Sequence, residues 1–514
     1  MRLLIPALLI GVACFSQQRP NVLYIMSDDH DATAISAYSK TLISTPNIDR
    51  LAKEGALFTR CFVGNSICSP SRATLLTGQH SHKNGVINNF TRFDSSRMTM
   101  PKLLQQAGYQ TAIVGKWHLH SYPTGFDYWK ILPGMGQYVD SRFINMNGDT
   151  VVERGYATDV ITDEAIKWLD SRDKQKPFVL LLHHKAPHRY FFPKLKYLEQ
   201  YHTKVFPEPA TLYADTTGKG SAWRIQTMNI ATNMMLCSDL KVDPQYLMDN
   251  PALKPDAEEI AYYNAIMNRV SEPDRTRMKA IYAERGKLLQ QLRPAGKELV
   301  KYKFQWYMQD YLATVASVDE NVGRILKYID DNKLTNNTMV VYTSDQNFYM
   351  GQNGWFDKRF MYDKSMSTPL LVRWPNHIKP GIRINTMAQN IDYAPTILAA
   401  TGTPVPSWMH GLSLVPILTG KSKTLNRSSL YYHYYEFGKD HTVLPHLGIR
   451  GERYKLIYFY TVNEWELYDL QTDPQEQKNL IKLQQYQPII IQLKKDLLQL
   501  RNLYDDHEPA GELN

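Results

Sequence analysis

The run Asn21-Val22-Leu23-Tyr24-Ile25-Met26 passes directly into Ser27-Asp28-Asp29. A continuous apolar run of this length is what a strand buried on both faces requires, whereas a half-exposed strand would alternate. Three later runs have the same form. Thr111-Ala112-Ile113-Val114 ends in Gly115-Lys116-Trp117-His118. Phe178-Val179-Leu180-Leu181-Leu182 ends in His183-His184-Lys185-Ala186-Pro187-His188. Met339-Val340-Val341-Tyr342-Thr343 ends in Ser344-Asp345-Gln346. Helical patterns lie between them, the clearest being Tyr311, Val315, Val318, Val322, Leu326 and Ile329, which form one apolar stripe. Strands alternating with helices predict an α/β fold, a large mostly parallel sheet sandwiched by helices. Ligands of such sheets sit beyond the carboxyl ends of the strands. Four runs that end in acids, lysines and histidines therefore predict one active site at that edge.

The pattern changes twice along the chain. Residues about 200–300 are rich in charge, Tyr and Met, with weak periodicity and six prolines from Pro207 to Pro273. This stretch reads as an insertion of loops and helices that covers the sheet edge and shapes a cleft. After about residue 425 come short aromatic strands: Leu430 to Tyr435, Leu447 to Arg450, Lys455 to Phe459 and Glu466 to Asp469. They predict a smaller antiparallel sheet closed by a helix over 485–502. The expected division is thus a leader at 1–16, a catalytic α/β domain at 17–425 and a C-terminal subdomain at 426–514. No internal repeat or low-complexity tract is present.

Composition sets outer bounds. The 514 residues are 43% hydrophobic and 21% charged, as expected of a globular enzyme, with a formal net charge of +9. A basic balance favours acidic substrates. There is no block of like charge or basic–aromatic array, so nucleic acid is not an expected partner. Arg2 followed by the apolar run Leu3 to Ala13 reads as an export signal cut near Ser16, too short to span a bilayer. The expected location is outside the cytoplasm, periplasmic in a Gram-negative cell. Cys14 leaves a lipid-anchored alternative open, although Gly11 is a poor match to the usual leucine. Of the remaining cysteines, Cys61 and Cys237 read as buried thiols, with pairing between them as the alternative.

Asp28, Asp29, Asp345 and Gln346 bring three carboxylates and an amide oxygen to one edge. An all-oxygen donor set of this kind suits Ca²⁺ or Mg²⁺ over zinc.

The most specific stretch is Cys68-Ser69-Pro70-Ser71-Arg72-Ala73-Thr74-Leu75-Leu76-Thr77-Gly78. Pro70 and Ser71 are suited to starting a helix. The run resembles the sulfatase signature C-x-P-S-R-x-x-L-L-T-G at every specified position. In that family the cysteine is oxidised to Cα-formylglycine, so the resemblance implies a maturation enzyme as a partner of Cys68. An aldehyde hydrates to a gem-diol: one hydroxyl attacks sulfur, and the second then loses its proton and expels sulfate. A serine would stay sulfated. Arg72 is suited to holding the ionised diol.

Further motifs carry the resemblance across nearly the whole mature chain. Gly115-Lys116-Trp117-His118 is similar to the family's G-K-W-H. This implies Lys116 as a stabiliser bridging formylglycine and sulfate, and His118 as the base for sulfate elimination. Lys185-Ala186-Pro187-His188 is similar to K-A-P-H, implying His188 as general acid. Lys358 matches a lysine that neutralises sulfate and shares the acid role. The resemblance implies one calcium ion on Asp28, Asp29, Asp345 and Gln346, completed by an oxygen of the residue at Cys68. Position 346 is usually Asn or His, and Gln keeps the carbonyl oxygen. Thr45 to Ala52, Pro369 to Pro375, Asp392 to Leu398 and Glu466 to Leu470 look like further family landmarks.

Phe356 to Tyr362 and His446 to Arg450 look most like bacterial glycan sulfatases acting on 6-O-sulfated N-acetylglucosamine, as in heparan sulfate breakdown. This implies Lys116, His188, Asp357, Lys358, Arg359 and His446 as substrate-binding residues. Asp357 and Arg359 pairing with neighbouring charges is the plainer alternative. The competing activities are hydrolysis of another sulfated sugar position or an aryl sulfate, and phosphonate or phosphodiester hydrolysis on the same fold.

Overall fold

The computed structural model describes residues 19–215, 219–438, 441–507, 509–511 and 513. The leader at 1–16 and Cys14 lie outside the described residues.

A ten-stranded sheet organises the larger part of the molecule. Its centre is Asn21–Ser27, flanked on one side by Thr338–Ser344 and on the other by Phe178–His183, Gln110–Lys116 and Tyr128–Leu132, all parallel. Antiparallel pairings appear only towards the rims, where Leu370–Arg373 lies against Thr338–Ser344 and Arg142–Asn145 against Tyr128–Leu132. The four predicted strands are therefore neighbours at the middle of the sheet.

Period-two alternation explains their composition. Leu23, Ile25, Leu180, Leu182, Val340 and Tyr342 face one core. Val22, Tyr24, Met26, Val179, Leu181, Met339 and Val341 face the other. The first core is covered by helices that include Ala157–Ser171 and the long Gly296–Asp331, whose predicted stripe is buried throughout. The second is covered by Cys68–Thr77, Met100–Gln106 and Tyr393–Ala400. Cys61 belongs to the second core and Cys237 to the first, and both are free thiols, so the pairing alternative is excluded by their placement on opposite sides of the sheet.

Residues 202–295 contain no strand among the described residues. Their main helices, Ala257–Met267 and Glu272–Leu292, share the first core with the long helix. Arg285 ties them down, donating to the Asp310 carboxylate at 2.8 and 3.0 Å and to the Leu240 carbonyl at 2.6 Å.

The C-terminal sheet is antiparallel in the order Leu430–Tyr434, His446–Arg450, Tyr454–Phe459, Glu464–Asp469. The closing helix runs Gln487–Tyr504, two residues later than expected, with Pro488 in its first turn where no N–H is needed. It buries Ile490, Leu497 and Tyr504 on one face of the sheet. The other face packs Tyr432, Tyr434 and Phe459 on Trp355, Phe360 and Met361. That contact fixes the loop carrying residues 357–359. No described helix is long and apolar enough to cross a membrane.

Candidate active site

Asp28 and Asp29 leave the central strand, and Asp345 and Gln346 leave its neighbour; all four side chains are buried. Asp29 sits at φ +64°, a left-handed conformation that Asp tolerates better than most residues. That kink is held from both sides: the Asp29 N–H donates to Asp345 Oδ1 at 3.1 Å, and the Tyr311 hydroxyl donates to the Asp29 carbonyl at 2.7 Å. Carboxylate oxygens of Asp28, Asp29 and Asp345 fall within 4.8 Å of one another.

The helix Cys68–Thr77 points its N-terminus at these carboxylates, with Cys68 as its first residue. It begins two residues before the predicted Pro70-Ser71 start. Ser71 is not its cap: the hydroxyl donates to the Asp345 carbonyl at 2.6 Å and accepts from Asn390 at 3.0 Å. Pro70 still falls within the first turn. The Cys68 thiol lies 3.4 Å from Asp28 Oδ1 and 3.7 Å from Gln346 Nε2. Burial, and then the Asp28 charge, push this thiol far above its ordinary range. As a cysteine it is an inert thiol.

Cations surround the acids. Lys116 contacts Asp28 directly, Arg72 Nη2 lies 2.9 Å from Asp345 Oδ2 and 3.6 Å from Asp28 Oδ1, and Lys358 Nζ lies 2.7 Å from Asp29 Oδ2. Arg72 is therefore committed to the acids, its other Nη donating to the Lys116 carbonyl at 2.9 Å. Burial opposes the Asp28 charge, but Lys116 foremost, together with Arg72, outweighs it and holds that carboxyl well below the usual range. Burial, with repulsion from Asp28, pushes Asp345 up to about 7 despite Arg72. Crowded acids of this kind, with Gln346 Oε1 buried and without a hydrogen-bond partner, fit a hard divalent cation.

Two histidines complete the ring. His118, at φ +53°, has a buried Nδ1 with no hydrogen-bond partner. Burial, reinforced by Lys116 and Arg72, holds it neutral, well below its ordinary pKa. His188 Nε2 lies 3.6 Å from Asp29 Oδ2, and its Nδ1 is fixed 2.5 Å from the Arg189 carbonyl. Burial also holds His188 below its ordinary range. A cavity of about 470 Å³ opens over the site, lined by Tyr138, Lys185, His188, Asp357, Lys358, Arg359 and His441 among others.

Asp357 and Arg359 stand at φ +76° and +95°, a strained pair for side-chain-bearing residues. Asp357 meets His441 Nε2 at 2.8 Å, and Arg359 meets Glu436 at 2.6 Å. Both pair with neighbours and still line the cavity. His446 does not. It is fully buried, with Nε2 accepting from the Met361 N–H at 3.0 Å and Nδ1 2.7 Å from the Leu444 carbonyl. It supports the loop rather than facing the cavity. His441 takes the place expected of His446, and Glu436 orients Arg359. Both lie in a loop without periodicity, so no local pattern marks them. Lys185 was legible only as the first letter of a motif. Its ammonium lines the cavity 4.7 Å from the Tyr138 ring centre, with no hydrogen bond or ion pair among the described residues.

A sulfatase family model matches residues 20–403, and a model of the N-sulphoglucosamine sulphohydrolase C-terminal region matches residues 351–503. The chain belongs to the sulfatase family, hydrolases of sulfate esters. It is 43% identical over 99% of its length to an N-acetylglucosamine-6-O-sulfatase of Bacteroides thetaiotaomicron, covering 92% of that protein. It is 26% identical to the human N-acetylglucosamine-6-sulfatase over 84% of this chain and 70% of the relative. The solved structure of BT4656 in complex with its substrate, D-glucosamine-2-N,6-O-disulfate, superposes with a TM-score of 0.92 at 43% identity, covering 96% of this chain and 100% of that one. A phosphonate monoester hydrolase of Agrobacterium radiobacter shares the fold alone, at TM-score 0.67 and 21% identity over 95% and 96% of the two chains.

Proposed function

We propose that the protein is an exported sulfatase that hydrolyses the 6-O-sulfate of N-acetylglucosamine in a sulfated glycan such as heparan sulfate, yielding the free alcohol and inorganic sulfate. The observation that carries this reading is the convergence of Cys68, three buried carboxylates and two lysines beneath a cavity walled by Asp357, Arg359 and His441. Resemblance over the whole chain to an N-acetylglucosamine-6-O-sulfatase supports the choice of sugar.

Asp28, Asp29, Asp345 and the Gln346 carbonyl would hold one calcium ion, which supplies charge to polarise the sulfate. Oxidation of Cys68 to formylglycine would supply a hydrated aldehyde as nucleophile. The chain's own groups do the rest. Lys116 and Lys358 stabilise the sulfate oxygens from two sides. His188 stands on the cavity side and, as an imidazolium with Nδ1–H on the Arg189 carbonyl, would protonate the leaving sugar oxygen from Nε2, with Lys358 sharing that role. His118, held neutral, accepts a proton at its free Nδ1 as sulfate is expelled. Asp357 and Arg359 would receive sugar hydroxyls, their directions fixed by His441 and Glu436.

Sulfate release from monosaccharides sulfated at single positions tests the reading, with Cys68→Ala as control. Release from glucosamine 6-sulfate, abolished in the control, is expected. Release only from another position would remove the sugar assignment, and cleavage of a phosphodiester alone would remove the sulfatase reading.

A further inference from the structure

The cavity over the site does not end at the groups that face the nucleophile. It shares Val139, Phe192 and Arg269 with an adjoining groove of about 990 Å³. Arg269 follows the helix Ala257–Met267 and is half-buried at this junction. Its guanidinium reaches only the Asp140 carbonyl, at 3.3 Å, and among the described residues it makes no ion pair. The carboxylate closest to hand is already engaged: Asp140 holds Arg154 at 2.5 Å and the Gly155 N–H at 2.9 Å. The other cations of the groove are matched, as Lys194 is by Asp159 and Lys196 by Glu320. Arg269 thus brings a fork of donors to the junction of the two cavities, attracted by an Asp140 carboxylate that Arg154 already occupies.

The same cavity is walled by partly exposed apolar side chains. Tyr262 and Met235 are each 41% exposed, and the Tyr262 ring rests 4.3 Å from that of Tyr190. An aromatic ring and a guanidinium lining one cavity suit a sugar face carrying an acidic substituent.

We propose that Arg269, with Tyr262 and Met235, forms a subsite for the saccharide next to the sulfated one, and that it recognises an anionic group on that neighbour. This rests on the reading of the chain as a glycan sulfatase. The shared chemistry is a planar or tetrahedral oxyanion, either a uronate carboxylate or a second sulfate.

Binding by Cys68→Ala protein tests it by calorimetry, because no turnover is needed. Three disaccharides are compared, each with 6-sulfated N-acetylglucosamine at the end. The neighbour is a uronate, the same sugar with its carboxyl reduced to an alcohol, or the reduced sugar carrying a sulfate. We expect an acidic neighbour to bind about tenfold tighter than the neutral one. In an additional Arg269→Gln substitution that ratio should fall to about one, with Arg269→Lys intermediate and all melting temperatures alike. Preference for the uronate over the second sulfate, or the reverse, identifies the oxyanion. Equal affinity for acidic and neutral neighbours, or a ratio that survives Arg269→Gln, overturns the subsite alone. Absence of binding by every 6-sulfated sugar overturns the subsite together with the functional reading.

Discussion

Lys358 Nζ lies 2.7 Å from Asp29 Oδ2, and the two side chains are 3% and 0% exposed. Lys358 is thereby both a partner of a buried acid and a wall of the reaction cavity. Removing one member of a buried pair strands the other, typically at 3–5 kcal/mol. Lys358→Met should therefore lower stability by about that range, and kcat by about a hundredfold or more through the lost charge at the sulfate. Urea melts and steady-state rates check the two separately; a normal kcat in folded variant would remove Lys358 from the chemistry.

Lys185 should behave in the opposite way. Its ammonium is buried and, among the described residues, has no hydrogen bond or ion pair; burial, aided by repulsion from Lys116, lowers its pKa to about 7. An unpaired buried charge is a burden on the fold. Lys185→Met should raise the melting temperature, by about 1–3 kcal/mol in stability, while weakening sulfated-substrate affinity by about tenfold. A variant that gains no stability would contradict this account.

Acid stability depends on buried neutral histidines. Burial lowers His446 to about 3, whereas an unfolded chain protonates near 6.5. The unfolded state thus gains a proton that the fold refuses. The contribution is complete above about pH 6.5 and is lost as pH falls towards 3, at about 1.4 kcal/mol per unit. Glutamine can still accept from the Met361 N–H. His446→Gln should flatten the decline in stability between pH 6.5 and 4, measured by denaturant titration at each pH.

Chelation offers a check on the acids. With calcium at about a hundred times its dissociation constant, stability should rise by about 2.7 kcal/mol. The rise should vanish in Asp345→Asn, whose carboxyl is the one most strained by its neighbours. Equal melting temperatures with and without calcium in the parent protein would argue against a cation there.

Gly115 precedes Lys116 at φ +105°, and a Cβ there would stand 1.9 Å from the His183 carbonyl oxygen. Neither the conformation nor the space admits a side chain. Gly115→Ala should destabilise by more than about 4 kcal/mol, leaving little soluble protein; a near-normal melt would refute the steric argument.

The strands are legible in the sequence because burial on both faces demands uninterrupted apolar runs, and their polar endings point to one edge of the sheet. Direction was harder. His446 opens a strand, but its ring turns inward to two backbone groups, and no periodicity reports that choice. His441, Tyr262 and Arg269 reach the cavity from a loop and from the 200–300 stretch, and Glu436 stands behind Arg359. Their positions depend on packing against the long helix and the C-terminal sheet, which local sequence does not encode. Ser71 looked like a cap because its residue type favours caps, and a tertiary bond to Asp345 took the hydroxyl instead.

The centre of the sheet also dictates an order of events. Asn21–Ser27 pairs with Thr338–Ser344, so the strand made first waits for one made late. Such distant pairing closes slowly. Until it does, the helix at Cys68 lacks Asp345 and Gln346, and its ten residues, all buried in the finished fold, are not yet enclosed. Any enzyme that oxidises Cys68 must act within that interval. A late central partner therefore leaves residue 68 within reach until nearly two-thirds of the chain has emerged, and the proposed oxidation would have to use that window.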